Sequence, residues 1–200
     1  MLDKAKSGVK YSINLLFGVF AVALYDNVED IERAELYRLF AGLFIHEPTD
    51  EIIIQLKDMF QMKFADSPQE IRIDFASIFL GPDGRLMPYE SFYNYPLGDR
   101  PRLWGKAAEE VQSFYISAGI VMDEEINLIP DHISAEMLFM SYLIENGILE
   151  LQKRFLEEHL VKWIPEYCNE LQKYASTGFY KEVANIIKEF ILSEAEVFKL

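Results

Sequence analysis

Apolar residues recur every three or four positions through most of this chain from Val28 onward, a spacing that predicts helices. Between Ile31 and Ile45 the residues Leu36, Leu39, Phe40, Leu43 and Phe44 form one stripe, which Pro48 ends. Thr49 is placed to cap a second helix whose first turn carries Asp50 and Glu51 at the positive end of the dipole. Ser67-Pro68-Gln69-Glu70 reads as a capping box with proline at the first helical position, opening a helix that turns Ile71, Phe75, Ile78 and Phe79 inward. Helices are then predicted over Leu103–Ala118 (stopped by Gly119), Asp131–Asn146 (stopped by Gly147), Ile148–Lys162 and Ile164–Ala175, with Pro165 marking a kink or a restart. Val183, Ile186, Ile187, Phe190 and Ile191 stripe a last helix. No segment alternates polar and apolar residues as a strand does, so the pattern predicts a single-domain, all-α helical bundle.

Two stretches break this rhythm. Gly81 to Pro101 holds three glycines and four prolines, with Tyr89, Phe92, Tyr93 and Tyr95 between them. A long aromatic loop inside a compact domain is usually a working surface rather than a mere connection. Asp123 to Pro130 is the second. At the other end of the chain, Tyr11 to Tyr25 carries no charge and follows Lys4, Lys6 and Lys10. With Ala21-Val22-Ala23 it imitates a secretory signal and cleavage site, yet it is too short to span a bilayer comfortably. Residues 1–27 are expected to form an extra apolar helical segment ahead of a helical domain over 28–200, packed on that domain or joining two copies in a homodimer. An export signal or a membrane-surface anchor is the alternative, which would make the chain an exported or membrane-associated interaction protein.

Composition narrows the field. Two hundred residues, half of them hydrophobic and 14% aromatic, can build one core without a disulfide or metal. Cys168 is the one cysteine, so neither an internal disulfide nor a Cys-rich zinc site is available, and a reducing compartment is expected. The 33 acidic residues outnumber the 19 basic ones, for a net charge of −14. Such a surface repels phosphate backbones, which argues against nucleic acid, and attracts cationic ligands, peptides included.

Catalytic signatures are missing. Gly81-Pro82-Asp83-Gly84 lacks the spacing and the Lys-Ser/Thr of a phosphate loop, and no Gly-x-Ser-x-Gly elbow occurs. His46, His132 and His159 belong to no His-Glu-x-x-His pair, and Leu43, Ile129 and Leu156 stand where a di-iron bundle needs glutamates. The expectation is a binding protein with no catalytic residues, no metal and no cofactor; an enzyme built on Asp131, His132 and Glu136 is the rival.

Two motifs carry candidate chemistry. In Pro130-Asp131-His132-Ile133, with Glu136 one turn on, Asp131 either caps a helix beside a half-buried His132, or the three present acceptors and a switchable donor along a groove. A general-base role for His132 lacks a nucleophile. Pro88-Tyr89-Glu90-Ser91-x-Tyr93 is either a turn packed over the core or an aromatic, polar-tipped wall for a peptide. His159, beside Glu157 and Glu158, is expected to be a solvated or half-packed helix residue.

Three ordered segments resemble the TorD/DmsD/NarJ-type redox-enzyme maturation chaperones: Arg33-Ala-Glu-Leu-Tyr37-Arg-Leu-Phe40; Phe75-Ala-Ser-Ile-Phe79-Leu-Gly-Pro82 followed by Pro88-Tyr89-Glu90-Ser91-Phe-Tyr93; and Pro130-Asp131-His132-Ile133-Ser-Ala-Glu136-Met-Leu-Phe139-Met140. The likeness runs from about Asp30 to Val197 and leaves out residues 1–27. It implies an all-helical cytoplasmic protein without turnover that binds the twin-arginine signal peptide, or an equivalent N-terminal segment, of a molybdopterin-dependent oxidoreductase subunit. Such a protein holds the subunit back from export until its cofactor is inserted. By that resemblance Tyr89, Glu90, Ser91, Asp131 and His132 line the peptide groove, and Phe75 and Phe79 match positions that are often aromatic. Pro88, Tyr93 and Glu136 complete the expected site, because an aromatic groove buries the peptide's apolar middle and the acceptors Glu90, Asp131 and Glu136 pair with its arginines.

Overall fold

The computed structural model describes residues 27–80, 86–121 and 129–200. The segment expected over 1–27 lies outside the described residues, apart from Asn27, where the first helix starts. Eight α-helices follow in these stretches: α1 Asn27–Gly42, α2 Asp50–Met59, α3 Pro68–Phe75, α4 Lys106–Ser117, α5 Ile133–Glu145, α6 Leu149–Phe155, α7 Val161–Tyr174 and α8 Gly178–Phe198. Ala76–Leu80 and Leu156–Leu160 are single π-turns, and Glu90–Phe92 is a 3-10 turn. No strand forms among the described residues, so the all-α reading holds.

Local chemistry sets the helix starts. Thr49 accepts from the Ile52 amide at 3.4 Å to open α2. The box at α3 closes both ways: Ser67 Oγ accepts from the Glu70 amide at 3.3 Å, and Glu70 accepts from the Ser67 amide at 2.7 Å. At α8, Thr177 caps through its Oγ1 while the buried Asp74 carboxylate of α3 accepts from the Thr177 amide at 2.8 Å and its hydroxyl at 2.6 Å. That carboxylate meets the free amides at a positive helix end, tying α8 to α3.

Packing does the rest. α1 lies against α5, and α7 against α8. Their inward faces build a core in which Trp163, Tyr37, Tyr167, Tyr180, Phe40 and Phe75 are fully enclosed. Arg33 on α1 reaches Glu194 near the end of α8 at 2.7 Å, and the Tyr37 hydroxyl donates to the same carboxylate at 3.2 Å.

Three predicted boundaries shift. The fourth helix opens at Lys106 rather than Leu103, because Trp104 sits in the left-handed region (φ 56°) and Gly105 serves as its N-cap. The fifth opens at Ile133 rather than Asp131, because His132 is the cap residue and the Asp131 side chain is engaged elsewhere. No break occurs at Pro165, which α7 carries within it. The irregularity is instead the π-turn Leu156–Leu160, just ahead of Val161, whose carbonyl Pro165 has no N–H to pair with.

Candidate functional site

The site is built where the two irregular stretches meet. A lone antiparallel bridge joins Tyr89 to His132, with Glu90 N donating to the Asp131 carbonyl and Ile133 N donating to the Pro88 carbonyl, both at 2.9 Å. One oxygen of the Asp131 carboxylate accepts from the Ser91 amide at 2.8 Å, so the aspartate pins the 3-10 turn instead of capping α5. The cap expected of Asp131 therefore falls to its neighbour: His132 Nδ1 accepts from the Ser134 amide at 3.1 Å. With Nδ1 accepting, the ring proton sits on Nε2, and burial holds the imidazole pKa down at about 4.

Beneath the bridge lies a buried polar cluster. Glu90 and Glu136 are both fully enclosed. Glu90 Oε1 accepts from Asn94 Nδ2 at 2.6 Å, and its Oε2 stands 2.8 Å from His159 Nδ1. Glu136 Oε2 accepts from the Trp163 indole N–H at 3.0 Å, while its Oε1 finds no donor. Burial first, and the Glu90 charge next, push the Glu136 carboxyl well above the usual carboxylate range. The Tyr115 hydroxyl closes the cluster from α4, donating to the Pro130 carbonyl at 2.7 Å.

His159 corrects the sequence reading. It is buried rather than solvated, because the π-turn re-aims it from its helix onto Glu90, between the rings of Phe114 (5.1 Å) and Phe155 (5.0 Å). A signal was present: Phe155, His159 and Trp163 recur at four-residue spacing along an apolar stripe. Trp163 and Asn94 also join the cluster, although neither stands in the two motifs.

Of the ten expected site residues, eight are drawn together and two are not. Pro88, Tyr89, Glu90 and Ser91 meet Asp131, His132 and Glu136 at the bridge and the cluster. Tyr93 leans inward, stacked on Trp163 at 5.7 Å and edge-on to Tyr167 at 5.6 Å. Phe75, in the core, and the half-buried Phe79 instead pack on each other at 5.1 Å, and Phe79 faces Phe44 and Tyr180. Exposure divides the set further. Pro88, Glu90, Ser91, Asp131 and Glu136 are buried and His132 shows only an edge, whereas Tyr89, Phe92 and Tyr93 are half-exposed. The surface of the site is thus aromatic: Tyr89 lies edge-on to His132 at 5.0 Å and 6.5 Å from Phe92. Carboxylates border this surface: after burial, the charges of Glu170 and Glu166 on α7, either side of the Tyr167 ring that Tyr93 meets, raise the Tyr93 hydroxyl's pKa. Among the described residues no group of His, Cys, Asp or Glu is placed to hold a metal ion, and no helix is long and apolar enough to cross a membrane.

Several known proteins are similar to this chain. Residues 45–169 match the family model described as nitrate reductase delta subunit. The chaperone protein TorD of Vibrio parahaemolyticus is 26% identical over 82% of this chain and 81% of its own length. That of Vibrio cholerae El Tor is 26% identical over 96% of this chain and 90% of its own. A solved structure from Archaeoglobus fulgidus, described as a redox enzyme maturation protein, shares the fold with a TM-score of 0.56 at 20% identity, covering 85% of this chain and 98% of that one. The likeness extends over the helices that hold the bridge and the cluster, and the curated relatives carry the name of a chaperone, which is a non-enzymatic role. The chain belongs to the nitrate reductase delta subunit family, among the TorD-type redox-enzyme maturation chaperones.

Proposed function

We propose that this chain is a cytoplasmic chaperone that binds the twin-arginine signal peptide, or an equivalent N-terminal segment, of a molybdopterin-dependent oxidoreductase subunit and delays its export until the cofactor is in place. The helical domain over 28–200 does the binding. The observation that carries the reading is the half-exposed aromatic surface of Tyr89, Phe92 and Tyr93, held by a bridge and a buried cluster and bordered by carboxylates. A signal peptide of this class has a cationic start and an apolar middle. Aromatic side chains bury apolar chain at low entropic cost, and a net charge of −14 speeds the arrival of a cation.

Burial refines which acceptors meet the arginines. Glu90, Asp131 and Glu136 are engaged inside the molecule, where they position the aromatic surface. The guanidinium partners are Glu166, which is exposed, and Glu170, which is half-exposed, one helical turn apart beside Tyr93. Calorimetric titration with a twin-arginine signal peptide from the host's molybdoenzyme tests the reading, run beside a peptide with both arginines changed to alanine. Saturable binding that weakens with the alanine change and with salt is expected; absence of binding to any host peptide of this class overturns it.

A further inference from the structure

The loop between Asn94 and Gly105 leaves the site and returns to it. Asn94 Nδ2 donates to Glu90 at one end, and at the other Gly105 packs so tightly that a Cβ there would lie 2.9 Å from Ser91 Oγ. The two anchors are neighbours in sequence, which makes the intervening residues an Ω-loop with closed ends. The loop has internal order: Asp99 N donates to the Pro96 carbonyl at 2.9 Å, Gly98 takes a positive φ of 92°, and Arg102 stands 3.7 Å from Asp99. Trp104 is left-handed at φ 56°, a conformation that costs a bulky residue of order 1–3 kcal/mol and is kept only where the surroundings impose it.

Four large apolar side chains of this loop face solvent: Leu97 fully, and Tyr95, Leu103 and Trp104 by two-fifths or more. Singly exposed apolar residues need no account, but four on one ordered loop beside an aromatic site do. The charges on the loop say what covers them. Arg100 and Arg102 outnumber Asp99, so the loop is locally cationic in a chain of net charge −14. It repels a basic segment and accepts a neutral one, while Glu166 and Glu170, beside Tyr93, attract the basic segment.

We infer that residues 95–104 form the landing surface for the uncharged, apolar stretch of the bound signal peptide, whose arginine-bearing end points toward Glu166 and Glu170. This rests on the peptide-binding reading above, and it adds a polarity to it: like charge on the loop and opposite charge on α7 admit the peptide in one direction.

A double-mutant cycle on the full chain tests it. The protein arm is Leu97→Ser with Trp104→Ser, both exposed, with helical content checked by circular dichroism. The peptide arm replaces the apolar stretch of the host signal peptide with serines while keeping both arginines. The expected result is an affinity loss of about tenfold for the double variant with the complete peptide and almost none with the serine peptide, a coupling of the size that a buried tryptophan anchor gives. Equal losses with both peptides, or none, overturn the loop assignment while leaving the peptide reading intact. Failure of the unaltered protein to bind the complete peptide overturns both. Co-sedimentation of the unaltered chain with phosphatidylglycerol vesicles that is lost in the double variant, without any change in peptide affinity, assigns the loop to a lipid surface and also overturns the inference.

Discussion

His159 Nδ1 lies 2.8 Å from the Glu90 carboxylate, both groups enclosed, so that residues 69 positions apart share one buried hydrogen bond. It fastens the 3-10 turn of the site to the π-turn ahead of α7. Removing one partner strands the other where water cannot replace it. His159→Leu is expected to lower stability by about 3 kcal/mol, and the melting temperature by roughly 6–12 °C for a chain of this size, with Tyr89 and Phe92 loosened as a consequence. Thermal denaturation followed by circular dichroism measures it.

Glu136 gives the fold an alkaline weakness. Its carboxyl is held above its ordinary value by burial and by the Glu90 charge, so the folded state retains a proton that the unfolded chain releases near pH 4.5. The stabilising contribution is complete below that pH and is lost as pH rises toward the folded value. Glu136→Gln keeps a neutral group that accepts from Trp163, so between pH 6.5 and 8, above the range in which His132 titrates, its urea midpoint should stay flat while that of the parent declines. Parallel curves would mean that Glu136 does not titrate there.

His132 acts in the opposite direction. Its pKa of about 4, against an ordinary 6.5, means that the unfolded chain takes up a proton the folded one refuses. The contribution is complete above pH 6.5 and falls away toward pH 4, by up to about 3 kcal/mol. His132→Asn preserves an N-cap acceptor and removes the titration, so the acid limb of the stability profile should flatten. A variant that is instead as acid-sensitive as the parent places the sensitivity elsewhere.

Glu166→Gln together with Glu170→Gln is expected to weaken binding of the twin-arginine peptide roughly three- to tenfold, since exposed charge pairs contribute up to about 1 kcal/mol each. The salt dependence should flatten with it. Calorimetry at two ionic strengths checks both, and unchanged affinity for the arginine-bearing peptide would remove these carboxylates from the site.

How much of this could be seen in the chain alone follows from the range of the forces involved. The caps at Thr49 and Ser67 are legible because each is settled within four residues. The motif residues from Pro88 to Ser91 and from Asp131 to Glu136 are legible as a set, but not their division of labour. Asp131 looks like a cap until Ser91, forty positions away, claims its carboxylate. Glu90 and Glu136 look like acceptors for a ligand until the fold encloses them. Phe75 and Phe79 look like groove residues on motif grounds, yet an apolar stripe cannot say whether a ring ends at the site or, as here, in the core and against it. The apolar stripe of Phe155, His159 and Trp163 could mark His159 as buried, but its aim at Glu90 comes with a π-turn, which no local pattern announces.

The clasp between Arg33 and Glu194 also constrains the order in which this protein can be made. The first described helix finds its ionic partner 161 residues later, and Tyr37 packs on Phe190 at a ring separation of 4.8 Å. A ribosome delivers α1 long before α8, so even after α5 has covered part of its inward face the side that carries Arg33 and Tyr37 waits for α8 to emerge. A nascent chain stalled or truncated ahead of Phe190 would therefore weaken the packing of α1 as well as that of α8.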